Sequence, residues 1–233
     1  MKKPVQLTVL LGICFMLTDM PAYGCSFSAY NGMTGERTLA IVPTVYVPMI
    51  PAFGALSDYI AAYGFTQNID LFVNFATLAY APVFGYTGSW IMPRFDFGGN
   101  NIAALQVFLD YSAAGGVRFR FAPQYHFFIE NDAYAFELNG IVIVPLSTPA
   151  NTSISAIIAP VWKMIKNAVH LFVEVNPCFT FGVNTFSLAV IPGACLCFSE
   201  NAHQICVGVP CNNVTSGTLS LGVNVWYTGT FKL

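Results

Sequence analysis

Eight ionisable side chains stand out by their setting: Asp70, Arg94, Asp96, Asp110, Arg118, Arg120, Glu137 and Glu174. Each lies in a run where apolar residues alternate with small or polar ones. Gathered in one confined space, they would either set the charge of a constriction or pair with one another to fill it, because buried charge left unpaired is costly. His126, His170 and His203 are the only histidines. A hydrolase would need one of them beside an activated serine, and no Gly-x-Ser-x-Gly elbow is present. Catalysis is therefore not expected. The six cysteines beyond the first 24 residues, Cys25, Cys178, Cys195, Cys197, Cys206 and Cys211, show neither a CxxC pair nor a Cys/His zinc spacing, so neither a metal nor another cofactor is expected. If Glu200-Asn201 is a two-residue turn, Cys195 faces Cys206 across it. A disulfide between them is one reading; two small interior side chains is the other.

These residues need strands to position them. Charged residues make up only 9% of the 233-residue chain, and hydrophobic ones 55%. A soluble domain carries roughly 25% charge, so something other than water must cover part of this surface. Lipid is the natural candidate. Only helices and closed barrels satisfy the whole backbone in hydrocarbon, and a helix needs about 20 consecutive apolar residues. No such run follows the N-terminus. Instead Ile69, Leu71, Val73 and Phe75 alternate with Asp70 and Asn74. Leu105, Val107, Leu109 and Tyr111 alternate with Gln106, Asp110 and Ser112. Val117, Phe119 and Phe121 oppose Arg118 and Arg120. Val169, Leu171, Val173 and Val175 oppose His170, Glu174 and Asn176. Leu219, Leu221, Val223, Val225 and Tyr227 oppose Ser220, Gly222, Asn224 and Thr228. One face is uniformly apolar and the other mixes small, polar and charged residues. That mixture fits a narrow lumen better than the solvent face of a sandwich. Over Asn101 to Ala114 a helix face is also compatible with the pattern. Tyr63, Tyr80, Tyr86, Tyr111 and Tyr227 fall near expected strand ends, where interface girdles form.

Two sets of breaks alternate along the chain. Polar breaks fall at Thr66-Gln67-Asn68, Gly98 to Asn101, Glu130 to Asp132, Lys166-Asn167 and Glu200 to Ala202. Breaks rich in Pro, Gly, Ser and Ala fall at Val47 to Ala55, Ala81 to Gly85, Ala113 to Gly116, Ser147 to Asn151, Gly182 to Thr185 and Pro210 to Gly217. With the first set as periplasmic turns and the second as outer loops, the pattern predicts an all-β, membrane-spanning, antiparallel up-and-down β-barrel of twelve strands, with ten as the fallback. Asn139-Gly140 usually marks a hairpin. Here the flanking segments would be too short to span, so a bulge is expected.

The N-terminus is read separately. Lys2 and Lys3, the apolar stretch from Val5 to Leu17, and Ala22-Tyr23-Gly24 before Cys25 make the pattern of a secretory signal peptide. Residues 1–24 are taken as that signal and 25–233 as one barrel domain. Cys25 is also a candidate for lipidation. Without the signal, seven basic residues (nine less two) and ten acidic ones (eleven less one) remain. That balance argues against a nucleic-acid partner.

Tyr63-Gly64-Phe65-Thr66-Gln67-Asn68-Ile69-Asp70-Leu71-Phe72-Val73 resembles a hairpin that recurs in Gram-negative outer-membrane barrels of the porin-like, transporter class. The match covers these residues, and the rest agrees in pattern. The C-terminus is similar in part: Val223, Val225, Tyr227, Phe231 and Leu233 keep outward parity, but the chain ends on Leu, and Gly229 is one place from the usual glycine. The resemblance implies an outer-membrane location, partnership with outer-membrane lipid, and insertion by the barrel-assembly machinery. It also implies transport, as a passive channel for small solutes. The alternative is a closed structural or surface-adhesion barrel that conducts nothing.

Overall fold

The computed structural model describes residues 33–50, 53–81, 84–112, 115–165, 168–198, 203–215 and 219–233. They form β1 (Thr38–Ile50), β2 (Ala55–Gly64), β3 (Ile69–Ala81), β4 (Gly85–Asp96), β5 (Asn101–Ser112), β6 (Gly116–Glu130), β7 (Tyr134–Pro145), β8 (Ser153–Ile165), β9 (Val169–Thr180), β10 (Thr185–Phe198), β11 (His203–Gly208), β12 (Cys211–Asn212) and β13 (Ser220–Lys232). Each strand from β1 to β10 pairs antiparallel with the next, and β13 pairs back onto β1 from Thr38↔Lys232 to Ile50↔Leu221. Short β11 and β12 both lie between β10 and β13, so they are two parts of one stave interrupted at Val209-Pro210. The wall is thus a closed twelve-stave, up-and-down barrel. Closure leaves no edge to be satisfied by solvent. Residues 101–112, where a helix face also fitted the sequence, are strand throughout.

The alternation of the sequence becomes inside and outside. Outward residues are large, apolar and bare: Ile41, Phe75, Ile91, Leu105, Leu138 and Leu171 are each at least 38% exposed. Apolar area in water is unfavourable by roughly 25 cal/mol per Å², and a band of this extent on a monomer requires an apolar cover. Tyrosines ring the two ends of the outer face. Tyr59 and Tyr80 are hydrogen-bonded at 2.9 Å, and Tyr86 lies tilted against Tyr111 with centroids 6.1 Å apart. At the other end Tyr63 meets Phe65 edge-on, and Tyr227 bonds His203 Nδ1 at 2.7 Å. Amphipathic rings at both margins suit the two interfaces of a bilayer.

Three local details depart from, or explain, the sequence pattern. Asn139-Gly140 is neither a hairpin nor a bulge: β7 keeps one unbroken register with β6 (His126↔Asn139, Tyr125↔Gly140) and with β8 (Asn139↔Ile157, Gly140↔Ala156). The pair's turn preference yields to cross-strand pairing on both sides, which the local sequence does not report. In the hairpin after Gly64, the Thr66 hydroxyl accepts the Asn68 N–H at 3.1 Å, and Phe65 N–H reaches Ile69 O at 3.0 Å. The threonine and asparagine therefore close the turn locally. Gly229 lies under the Tyr227 ring, where a Cβ would overlap it; the glycine lets Tyr227 lean across to His203 on β11.

Candidate functional site

The lumen is lined by the other parity of every stave, and it is not uniform. On the β1–β4 side Val42, Ile60, Phe72 and Met92 pack together. On the β9–β13 side Phe172, Ile191 and Trp226 pack with Cys195 and Cys206, which are joined by a disulfide. Glycines make room for these rings: Phe172 lies over Gly193, its direct partner on β10, and Tyr46 lies over Gly222. Cys197 follows Cys195 on the same face, and its Sγ is 3.6 Å from His170 Nδ1. Cys197 and Cys211 are free thiols.

Between the apolar sectors runs a polar strip. Gln124 Nε2 donates to Gln106 Oε1 at 2.6 Å, and Asn139 Nδ2 donates to Gln124 Oε1 at 3.3 Å. Next along the wall, His126 Nδ1 and Glu137 Oε1 are 3.6 Å apart, both essentially fully buried. Among the described residues neither ring nitrogen of His126, neither oxygen of Glu137 and not Asn139 Oδ1 has a hydrogen-bond partner. Glu137 pairs with Ala159 on β8. The β8–β9 register (Ile158↔Val175, Val161↔Phe172) sets Ala159 opposite Glu174. Ala159, with its single methyl, therefore leaves the two glutamates facing across one small residue, and Glu174 is also buried.

The remaining charges are paired or lie at the mouths. Arg94 holds Asp70 through Nε at 2.8 Å and Nη2 at 2.6 Å, both side chains wholly buried, with its guanidinium 4.3 Å above the Phe72 ring. Thr34 N–H and Oγ1 add two bonds to the same carboxylate, at 2.8 and 2.9 Å. A two-toothed pair with its lone pairs otherwise satisfied is the arrangement that makes a buried ion pair tolerable. Arg120 holds Asp110 at 2.5 and 2.8 Å and lies 4.4 Å over Phe108. Arg118 is Asp110's direct register partner but is exposed at the strand end. Asp96 caps the turn after β4, accepting Gly98 N–H at 2.7 Å. Lys163 binds Glu130 at 2.5 Å at the rim.

The structure thus gathers the eight charges of the sequence reading into two ion pairs, one facing pair of glutamates and two rim residues. Three lumen features were not singled out from sequence. Gln106, Gln124 and Asn139 share the lumen parity, but their neutral amides gave no charge signal. His126 was noted only as a histidine; its even parity with Arg118 and Arg120 was the available clue. Asp58 accepts from Asn74 Nδ2 at 2.9 Å and Thr77 Oγ1 at 2.5 Å. It was hidden because a register shift in β3 turns both Asn74 and Thr77 toward it, and because its own strand is Ala-rich and alternates weakly. Among the described residues no serine hydroxyl is hydrogen-bonded to a histidine, and no His/Cys/Asp/Glu cluster suits a metal.

No family model and no curated protein matches the sequence. Among solved structures, the chain is similar to an outer membrane channel from Pseudomonas putida F1, at 11% identity and TM-score 0.58, over 87% of this chain and 98% of that one. It is also similar to the KdgM porin, at 9% identity and TM-score 0.56, over 82% and 99% of the two chains. At such identities what is shared is the fold, a twelve-stave antiparallel barrel that extends over nearly the whole of both neighbours.

Proposed function

We propose that this protein is a bacterial outer-membrane barrel that passes small solutes through a narrow, polar-lined lumen. The observation that carries the reading is the polar strip along β5–β7. Each buried polar atom left without a partner costs about 1–3 kcal/mol, and His126, Glu137 and Asn139 offer several such atoms on one wall. A dry plug gains nothing from them; water or a solute in the lumen satisfies them. The bare apolar exterior supports the membrane setting, and both solved neighbours are described as outer-membrane channel or porin proteins. The two longest connections, residues 146–152 and 213–219, are at the same end of the barrel, which is the proposed outer face.

Export by a signal peptide over residues 1–24, lipidation of Cys25 as a further possibility, and insertion by the barrel-assembly machinery belong to the same proposal. Those residues lie outside the described ones. No catalytic role is assigned. The second reading, a closed structural barrel, is favoured by the filling of the lumen by Phe172, Trp226 and the disulfide on one side and Phe72 and Met92 on the other. Single-channel recording of the purified full-length protein in planar bilayers separates the two. A narrow channel gives small, discrete current steps; a closed barrel that inserts without any current overturns the channel reading.

A further inference from the structure

Not all of the lumen charge is neutralised. Among the described residues Asp70 is balanced by Arg94, Asp110 by Arg120, and Glu130 at the rim by Lys163. Among the same residues Glu137 and Glu174 are in no ion pair with lysine or arginine. They face each other across Ala159, a residue with no exposed surface. The groups beside them are His126 on β6, Asn139 on β7 and Asn176 on β9. Of these only His126 can carry positive charge. The arrangement is more than an acidic cluster, because His126 is 1% exposed and neither of its ring nitrogens has a hydrogen-bond partner among the described residues, and Asn139 Oδ1, likewise without one, is an acceptor on the same wall.

We propose, resting on the channel reading, that Glu137 and Glu174 form a cation-selective constriction that small monovalent cations cross in preference to anions. The chemistry is the one used wherever carboxylates line a narrow pore. Their oxygens replace part of the ion's hydration shell, while a confined, poorly screened field excludes anions. Asn139 Oδ1 offers a neutral acceptor to the same ion. The arginines of this lumen do not oppose that field, because each is locked to its own aspartate.

The test is the reversal potential of the full-length protein in planar bilayers under a KCl gradient. The wild type is expected to prefer K⁺ over Cl⁻. Glu137→Gln and Glu174→Gln should each lower that preference several-fold, and the double variant should bring it close to unity. Glu130→Gln combined with Lys163→Met, which removes a neutral pair at the rim, should leave it unchanged. Heat-shifted mobility in SDS checks that each variant folds. If the glutamine variants do not fold, the wild-type potential still decides. A wild type that conducts but prefers anions or does not discriminate overturns the cation constriction alone. Unchanged selectivity in a folded double variant does the same. A wild type that inserts and carries no current overturns the constriction and the channel reading together.

Discussion

At the scale of single residues, the lumen holds two kinds of charge, and substitution should tell them apart. Asp70 and Arg94 are wholly buried and doubly bonded. Arg94→Met removes the counter-charge and leaves a buried carboxylate with only Thr34 to bind it. The expected loss is about 3–5 kcal/mol, as for other buried pairs broken from one side. Urea unfolding from detergent measures it, and Asp70→Asn combined with Arg94→Met should recover part of the loss. Gly193 has a different role. A Cβ there would overlap the Phe172 ring and approach Val207 O at 2.6 Å. Gly193→Ala should therefore destabilise by roughly 1–3 kcal/mol, the range for overpacking, and a smaller residue at Phe172 should relieve it. The Cys195–Cys206 bridge makes a third prediction. Alkylation of the unfolded, unreduced protein should label Cys197 and Cys211 but neither bridge cysteine, and reduction should lower stability by about 2–4 kcal/mol.

At the scale of elements, every break marked in the sequence overlaps a connection between strands of the barrel, although Val47 to Ala55 begins inside β1 and Pro210 to Gly217 takes in β12. The reason is physical. A strand buried in lipid on one face and in a lumen on the other must alternate, and turns must interrupt the alternation with Gly, Pro, Asn or Asp. What was not legible depends on partners distant in sequence. Asn139-Gly140 carries a hairpin dipeptide, yet β6 and β8 hold it in register from both sides. Since a Cβ at Gly140 would meet nothing within 4 Å, Gly140→Val should be neutral or should stabilise by up to about 1 kcal/mol; were the pair a true turn, the same change would disrupt folding. The site was legible to the same degree. Charge and parity marked Asp70, Arg94, Asp110, Arg120, Glu137 and Glu174 as one set. The sequence did not show which aspartate each arginine would take, because diagonal reach across the wall decides it. Arg118, directly opposite Asp110, gives way to Arg120 two residues along.

At the scale of the whole molecule, the account rests on which solvent faces the outside. Ile91 stands mid-strand on β4 with 48% of its surface bare. In water, Ile91→Arg would be harmless or would aid solubility. Against hydrocarbon it should cost roughly 2–4 kcal/mol, read as impaired folding into lipid vesicles. The same logic runs round the wall. The apolar exterior, the tyrosine margins and the closed hydrogen-bond ladder agree with one another only if lipid is the outer phase. The measurement that bears on this most directly is electrophoretic mobility in SDS of the protein from isolated outer membranes, boiled against unboiled. A closed barrel embedded in that membrane should run at two positions, compact before heating and extended after. A single position, together with extraction in buffer free of detergent, would contradict a membrane barrel.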